Sequence, residues 1–135
     1  MLMKKERYDI EFVLGNASQR SLWRMLTEPG ALQEWFADKV MLYDKNIYTF
    51  IWDKKAMNAE MVLKKPMTQV RYSWLLEDNP NTYFEFKIHK QDLTGDMSLE
   101  VSDFAYSTEK EDSILLWQYQ IDQLKRCLGI EFTYR

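Results

Sequence analysis

The stretch from Thr108 to Leu128 most restricts the fold: it contains no glycine or proline, and Gly129 follows it. Ile114, Trp117, Ile121, Leu124 and Leu128 recur at helical spacing and form one apolar stripe, while Asp122, Gln123, Lys125 and Arg126 fall largely outside it. Thr108 and Glu111 have the spacing of a capping box, and Gly129 stands where a helix-ending left-handed residue belongs. About twenty residues at about 1.5 Å each make a helix roughly 30 Å long. A stripe of that length needs an equally long apolar surface to cover it.

The preceding residues supply such a surface as strands. Tyr8–Leu14 alternates and reads as a first strand. Asn16 and Gln19 resemble another capping box, so a helix is expected there, with Leu22, Trp23, Met25 and Leu26 on its apolar side. Pro29-Gly30 breaks it, and a second short helix is expected at about Ala31–Phe36. Further strands are expected at Lys39–Leu42, Ile47–Trp52, Ala56–Leu63, Gln69–Leu75, Tyr83–Lys90 and Met97–Phe104, joined by turns rich in Asp, Asn, Lys and Pro. Val70, Tyr72 and Trp74 share one face, as do Phe84, Phe86 and Ile88, whereas Glu85, Lys87 and His89 face the other way. There is no internal repeat, linker or low-complexity segment, so residues 1–135 read as a single domain.

Composition narrows the function classes. Aromatics are 15% of the chain and Met contributes eight residues, which suits either an apolar cavity or a dense core. A net charge of −3 argues against a nucleic-acid partner, which calls for a basic face. No apolar run approaches the roughly 18 residues of a membrane span, so stable membrane insertion is not expected. The charged N-terminus lacks the apolar run of a signal peptide. The single cysteine, Cys127, excludes an internal disulfide and points to a reduced, cytoplasmic location.

Little in the sequence points to catalysis or metal binding. His89 is the only histidine and is out of phase with Phe86 and Ile88, so it is expected in solvent, without a metal or catalytic role. Cys127 reads as an inert, partly buried thiol. Asp96, Glu100 and Asp103 read as turn caps, and Glu109, Glu111 and Asp112 complement the dipole of the last helix. Neither a glycine-rich phosphate loop nor a Gly-x-Ser-x-Gly elbow is present. No cofactor, metal ligand or catalytic residue is assigned.

The order of strand, broken helix pair, strand run and long C-terminal helix is that of an α+β helix-grip fold. In it a curved antiparallel β-sheet of about six to seven strands wraps around a long C-terminal α-helix, with two short helices after the first strand. Leu26–Asp38, with Pro29-Gly30 and Trp35-Phe36, resembles a segment of the START-like domains of the SRPBCC superfamily, near the group related to the C-terminal domain of the heat-shock chaperone activator. Tyr48–Trp52, Val70–Trp74, Thr82–Ile88, Leu93-Thr94, Asp103–Ala105 and Leu116-Trp117 extend the resemblance over nearly the whole chain.

The resemblance implies a cavity between the sheet and the last helix. Its candidate lining is Phe50, Trp52, Met61, Trp74, Phe86, Leu99, Phe104, Trp117, Ile121 and Leu124, with Trp35 and Phe36 plugging one end. Tyr72, Tyr119 or Arg71 would orient a ligand at the mouth. The competing reading is that these side chains fill the space completely.

The expected function is therefore non-enzymatic binding of a small hydrophobic or lipid-like ligand. A protein-interaction module of cochaperone type is one alternative. A cyclase- or hydrolase-type enzyme on an aromatic or polyketide-like substrate is the other, with Arg71 or Glu85 as conceivable ionisable groups. The expected assembly is a monomer or homodimer, and the C-terminal tail Glu131–Arg135 could pack on the domain or on a second copy.

Overall fold

The computed structural model describes residues 4–76 and 81–130; the tail Glu131–Arg135 and the loop residues Glu77–Pro80 lie outside them. Strand β1 (Glu6–Gly15) leads into helices α1 (Gln19–Thr27) and α2 (Pro29–Trp35). Strands β2 (Lys39–Tyr43), β3 (Ile47–Trp52), β4 (Lys55–Lys65), β5 (Gln69–Trp74), β6 (Tyr83–Lys90) and β7 (Met97–Ala105) follow, and helix α3 (Lys110–Cys127) closes the chain. The seven strands form one antiparallel sheet in the order β1-β7-β6-β5-β4-β3-β2. Consecutive strands pair as hairpins from β2 to β7, and β1 joins the sheet beside β7. This is the helix-grip arrangement expected from the sequence.

Two register shifts, at Val13/Gly15 in β1 and at Met61/Leu63 in β4, interrupt the ladders. Such bulges bend a strand and increase its twist, which lets a sheet curve around a helix. Gly15 has φ +59°, a conformation open to glycine at little cost.

The concave side of the sheet is apolar. Tyr48, Phe50, Val70, Tyr72, Phe84, Phe86, Leu99 and Val101 are buried there, beneath Trp117, Ile121 and Leu124 of α3. Ile114 and Leu128 pack partly buried at the two ends of that stripe. Helix α3 stops as its sequence requires. Gly129 takes φ +71°, its N–H reaches Arg126 O at 3.1 Å, and Ile130 N reaches Lys125 O at 3.0 Å, the paired bonds of a Schellman motif.

All three helix starts differ from expectation. Helix α1 is capped by Ser18, whose Oγ accepts from Ser21 N at 3.2 Å, and Gln19 instead donates to Met67 O at 2.9 Å. Asn16 takes no part in the cap: residues 16–18 separate the end of β1 at Gly15 from the first helical residue, Gln19, and Ser18 holds the cap position. Helix α3 begins at Lys110 with Glu109 at its N-cap and no side-chain capping bond, so Thr108 and Glu111 do not form a capping box. Glu111 and Asp112 lie in its first turn and Lys125 and Arg126 in its last, as the helix dipole favours. Helix α2 starts at Pro29 itself, whose missing N–H costs nothing at a first helical position.

The Pro-Gly break also leaves the last three carbonyls of α1, those of Met25, Leu26 and Thr27, without helical partners in the interior, and each finds a donor. Arg24 O keeps its helical bond, to Glu28 N at 3.0 Å, and Met25 O accepts from Trp35 Nε1 at 2.8 Å. Leu26 O accepts from the Tyr72 hydroxyl at 2.7 Å, and Thr27 O from the Tyr48 hydroxyl at 2.8 Å. A buried helix end needs such partners. Here they come from α2, β5 and β3, and they pin the broken helix pair onto the sheet.

Candidate functional site

Trp35 and Phe36 end the second short helix. Phe36 packs its ring against those of Trp35, Phe50, Trp52, Phe84, Phe86 and Trp117, with centroids 5.1–6.3 Å apart. Its carbonyl accepts from Trp52 Nε1 at 2.7 Å and from Gln120 Nε2 at 2.9 Å, which ties α2 to both β3 and α3. Asp38, two residues on, accepts from Asp53 N at 2.8 Å and anchors the turn after Trp52.

Beside this aromatic node lies a partly open cavity of about 460 Å³. Trp52, Met57, Trp74, Phe84 and Asp103 reach it from the sheet, Phe36 from the end of α2, and Ser113, Leu116, Trp117 and Gln120 from α3. Its volume is within the roughly 300–1,000 Å³ of small-molecule sites. The wall is mostly apolar, half of its residues being aromatic, and it includes the polar Asp103, Ser113 and Gln120.

The residues singled out in the sequence divide between wall and core. Trp52, Trp74 and Trp117 border the cavity, as does Phe36. Phe50, Phe86, Leu99, Ile121 and Leu124 face inward but are buried among their neighbours and do not reach it. Met61 packs partly buried against the core away from the opening, and Trp35 is buried against Phe36 and Phe86. Phe104 points to the opposite face, because β7 turns Met97, Leu99, Val101 and Asp103 inward; its ring lies 4.9 Å from that of Tyr83.

The expected orienting groups are engaged elsewhere. The Tyr72 hydroxyl is spent on Leu26 O, and Tyr119 is exposed on the outer side of α3. On the convex face, Arg71 Nε bonds Glu85 Oε1 at 2.7 Å and its guanidinium stacks on Tyr83. Neither Arg71 nor Glu85 therefore enters the cavity. His89 also lies on the convex face, 2.8 Å from Glu100. Cys127 is exposed rather than partly buried, with its Sγ 3.9 Å from Glu34 O.

The polar group that sequence reading missed is Asp103. It sits within a strand and faces inward, so it caps no turn. Its Oδ2 accepts from Trp117 Nε1 at 2.7 Å and from the Tyr8 hydroxyl at 3.4 Å, and its Oδ1 accepts from Phe104 N at 2.7 Å. The strand register sets Tyr8 directly opposite Asp103, and the same hydroxyl is hydrogen-bonded to Ser113 Oγ. Asp103 retains some solvent contact, yet the crowding around it opposes charge. Burial pushes its carboxyl above the ordinary carboxylate range, against the hydrogen bonds from Trp117, Phe104 and Tyr8 and the charge of Lys5. Burial also raises the Tyr8 hydroxyl to about 12, so it stays protonated as a donor. In the sequence, the inward phase of Met97, Leu99 and Val101 places Asp103 on the same face; that phase was the available signal.

Among the described residues, no group of three or more His, Cys, Asp or Glu could hold a metal ion, and no helix is long and apolar enough to cross a membrane.

The family model of a START-like superfamily domain matches residues 2–130. The solution structure of BfR322 from Bacteroides fragilis is 36% identical, covers 98% of either chain and superposes with a TM-score of 0.66. The Aha1 dimer from Colwellia psychrerythraea is 14% identical, covers 93% of this chain and 97% of its own, and has a TM-score of 0.77. CalU16 from Micromonospora echinospora is 13% identical, covers 98% and 84%, and has a TM-score of 0.67. The last two likenesses concern the fold alone. No curated protein matches the sequence. With a family match that spans the sheet, the broken helix pair and the long helix, the chain belongs to the START-like superfamily.

Proposed function

We propose that the protein binds a small hydrophobic or lipid-like molecule in the cavity between the sheet and α3, without transforming it. One observation carries this reading: a cavity of about 460 Å³ persists in a domain with so many large side chains, and its wall is mainly Trp, Phe, Met and Leu. A core built for stability alone would close such a space, since lining atoms without partners lose dispersion contacts. Burial of an apolar ligand would contribute about 25 cal/mol per Å² removed from water, before association costs.

Native mass spectrometry of the protein from its own host, with organic extraction, tests the reading. An apolar molecule copurifying in near-stoichiometric amount supports it. An empty protein whose melting temperature is unmoved by a library of lipids and aromatics rejects it and directs attention to a protein partner.

Asp103 favours a second reading, an enzyme acting on an aromatic or polyketide-like substrate. A carboxyl group held above its usual range in a cavity wall is suited to proton transfer. Recovery of the bound molecule unchanged after incubation, under conditions where Asp103→Asn behaves identically, separates a carrier from an enzyme.

A further inference from the structure

We propose that the ligand carries a hydrogen-bond donor, a hydroxyl or an amine, on its apolar body, and that Asp103, Gln120 and Ser113 receive it while excluding carboxylates. This deepens the cavity reading above and rests on it.

Several N–H donors of the wall are already committed to the protein: Trp52 Nε1 and one N–H of Gln120 Nε2 to Phe36 O, and Trp117 Nε1 to Asp103, while Trp74 Nε1 and the second Gln120 N–H are not committed among the described residues. Phe104 N is likewise held by Asp103. With one amide hydrogen held by Phe36 O, Gln120 presents a ligand with its carbonyl oxygen, an acceptor, and its second N–H. Asp103 is an acceptor with two oxygens and lone-pair capacity beyond its three bonds. Ser113 Oγ shares its hydrogen bond with Tyr8, and it can accept a second one.

The charge balance points the same way. The described lining contains one carboxylate and no Lys, Arg or His. Lys5, the cation that acts on Asp103, borders the adjoining hollow on the far side of Ser113 and Leu116. A carboxylate ligand would meet the Asp103 carboxyl with no cation in the described lining to offset the repulsion, and would be disfavoured. A hydroxyl or ammonium group meets acceptors.

The test uses four probes that share one aromatic body: methylnaphthalene, naphthylmethanol, naphthylmethylamine and naphthoate. Binding at neutral pH is read by calorimetry and by quenching of the tryptophan fluorescence. Naphthylmethylamine and naphthylmethanol should bind more tightly than methylnaphthalene, and naphthoate most weakly. The amine should exceed naphthoate by about ten- to a hundredfold, the span of a charge-assisted hydrogen bond. Asp103→Asn should collapse that gap several-fold.

Naphthoate binding as tightly as the amine overturns the proposal. Methylnaphthalene binding with no preference among the head groups overturns it while sparing the cavity reading. Failure of all four to bind overturns both. The ranking in the unmodified protein decides the matter even where Asp103→Asn does not fold.

Discussion

The hydroxyl of Tyr72 on β5 donates a 2.7 Å hydrogen bond to the carbonyl of Leu26, the penultimate residue of α1. Both residues are wholly buried, so no water is at hand to replace either partner. Tyr72→Phe keeps the ring and its contacts with Tyr48, Phe50 and Phe84 and leaves the carbonyl orphaned. The expected cost is about 1–3 kcal/mol. Chemical denaturation checks it. A change below about 0.3 kcal/mol would mean that this bond does not hold the broken helix in place.

Asp103 makes stability pH-dependent in an unusual direction. Its folded carboxyl sits above the ordinary value of 3.8, whereas the unfolded chain titrates near that value. Between the two, the folded state retains a proton that the unfolded state has released. Stability therefore falls as pH rises through that window and levels off above it. Asp9 acts oppositely: the hydrogen bond from Ser102 leads the lowering of its carboxyl below 3.8, so its contribution is lost as pH falls through its lowered value. Subtracting an Asp103→Asn series isolates the first effect. The melting temperature of the unmodified protein, relative to the variant, should decline with rising pH above about 4. A flat or rising difference would count against the raised carboxyl.

The convex face buries a charge. Glu85 is 0% exposed; its Oε1 binds Arg71 at 2.7 Å, while Oε2 has no hydrogen-bond partner among the described residues and lies 4.0 Å from Lys87 Nζ. Removing one partner of a buried pair leaves an uncompensated charge, which costs about 3–5 kcal/mol when burial is complete. Arg71 is partly exposed and Lys87 remains nearby, so Arg71→Met should cost somewhat less, about 2–3 kcal/mol. Adding Glu85→Leu should restore most of the loss. Urea unfolding of the single and double variants gives the coupling, and a double variant no more stable than Arg71→Met would refute the argument.

The fold was legible because its signals are periodic. The stripe from Ile114 to Leu128, the alternation of Phe84, Phe86 and Ile88, and the Pro29-Gly30 break each report one element, and their order reports the architecture. The cavity wall was legible only in part. Alternation tells that Phe50 and Trp52 both face inward, but not that one is enclosed by six-membered and indole rings while the other borders open space. That distinction depends on how side chains from β3, α2 and α3 meet, which is long-range information. Asp103 and Gln120 were passed over for a related reason. A polar residue on an apolar face looks like an interruption until its partners, Trp117, Tyr8 and the carbonyl of Phe36, are known.

Met57 offers a direct test of where a ligand sits. It reaches the cavity from β4 and is only partly buried, so a larger side chain there can grow into space that is now empty. Met57→Trp should occupy much of the volume between Trp52, Trp74 and Leu116. Filling a void adds contacts without displacing packed atoms, and the expected change in stability is small or favourable, within about 1 kcal/mol. Binding of methylnaphthalene should weaken more than tenfold, about 1.4 kcal/mol. Calorimetry and thermal unfolding on the same preparation separate the two effects. Unaltered binding in a folded Met57→Trp protein would place the ligand outside this cavity.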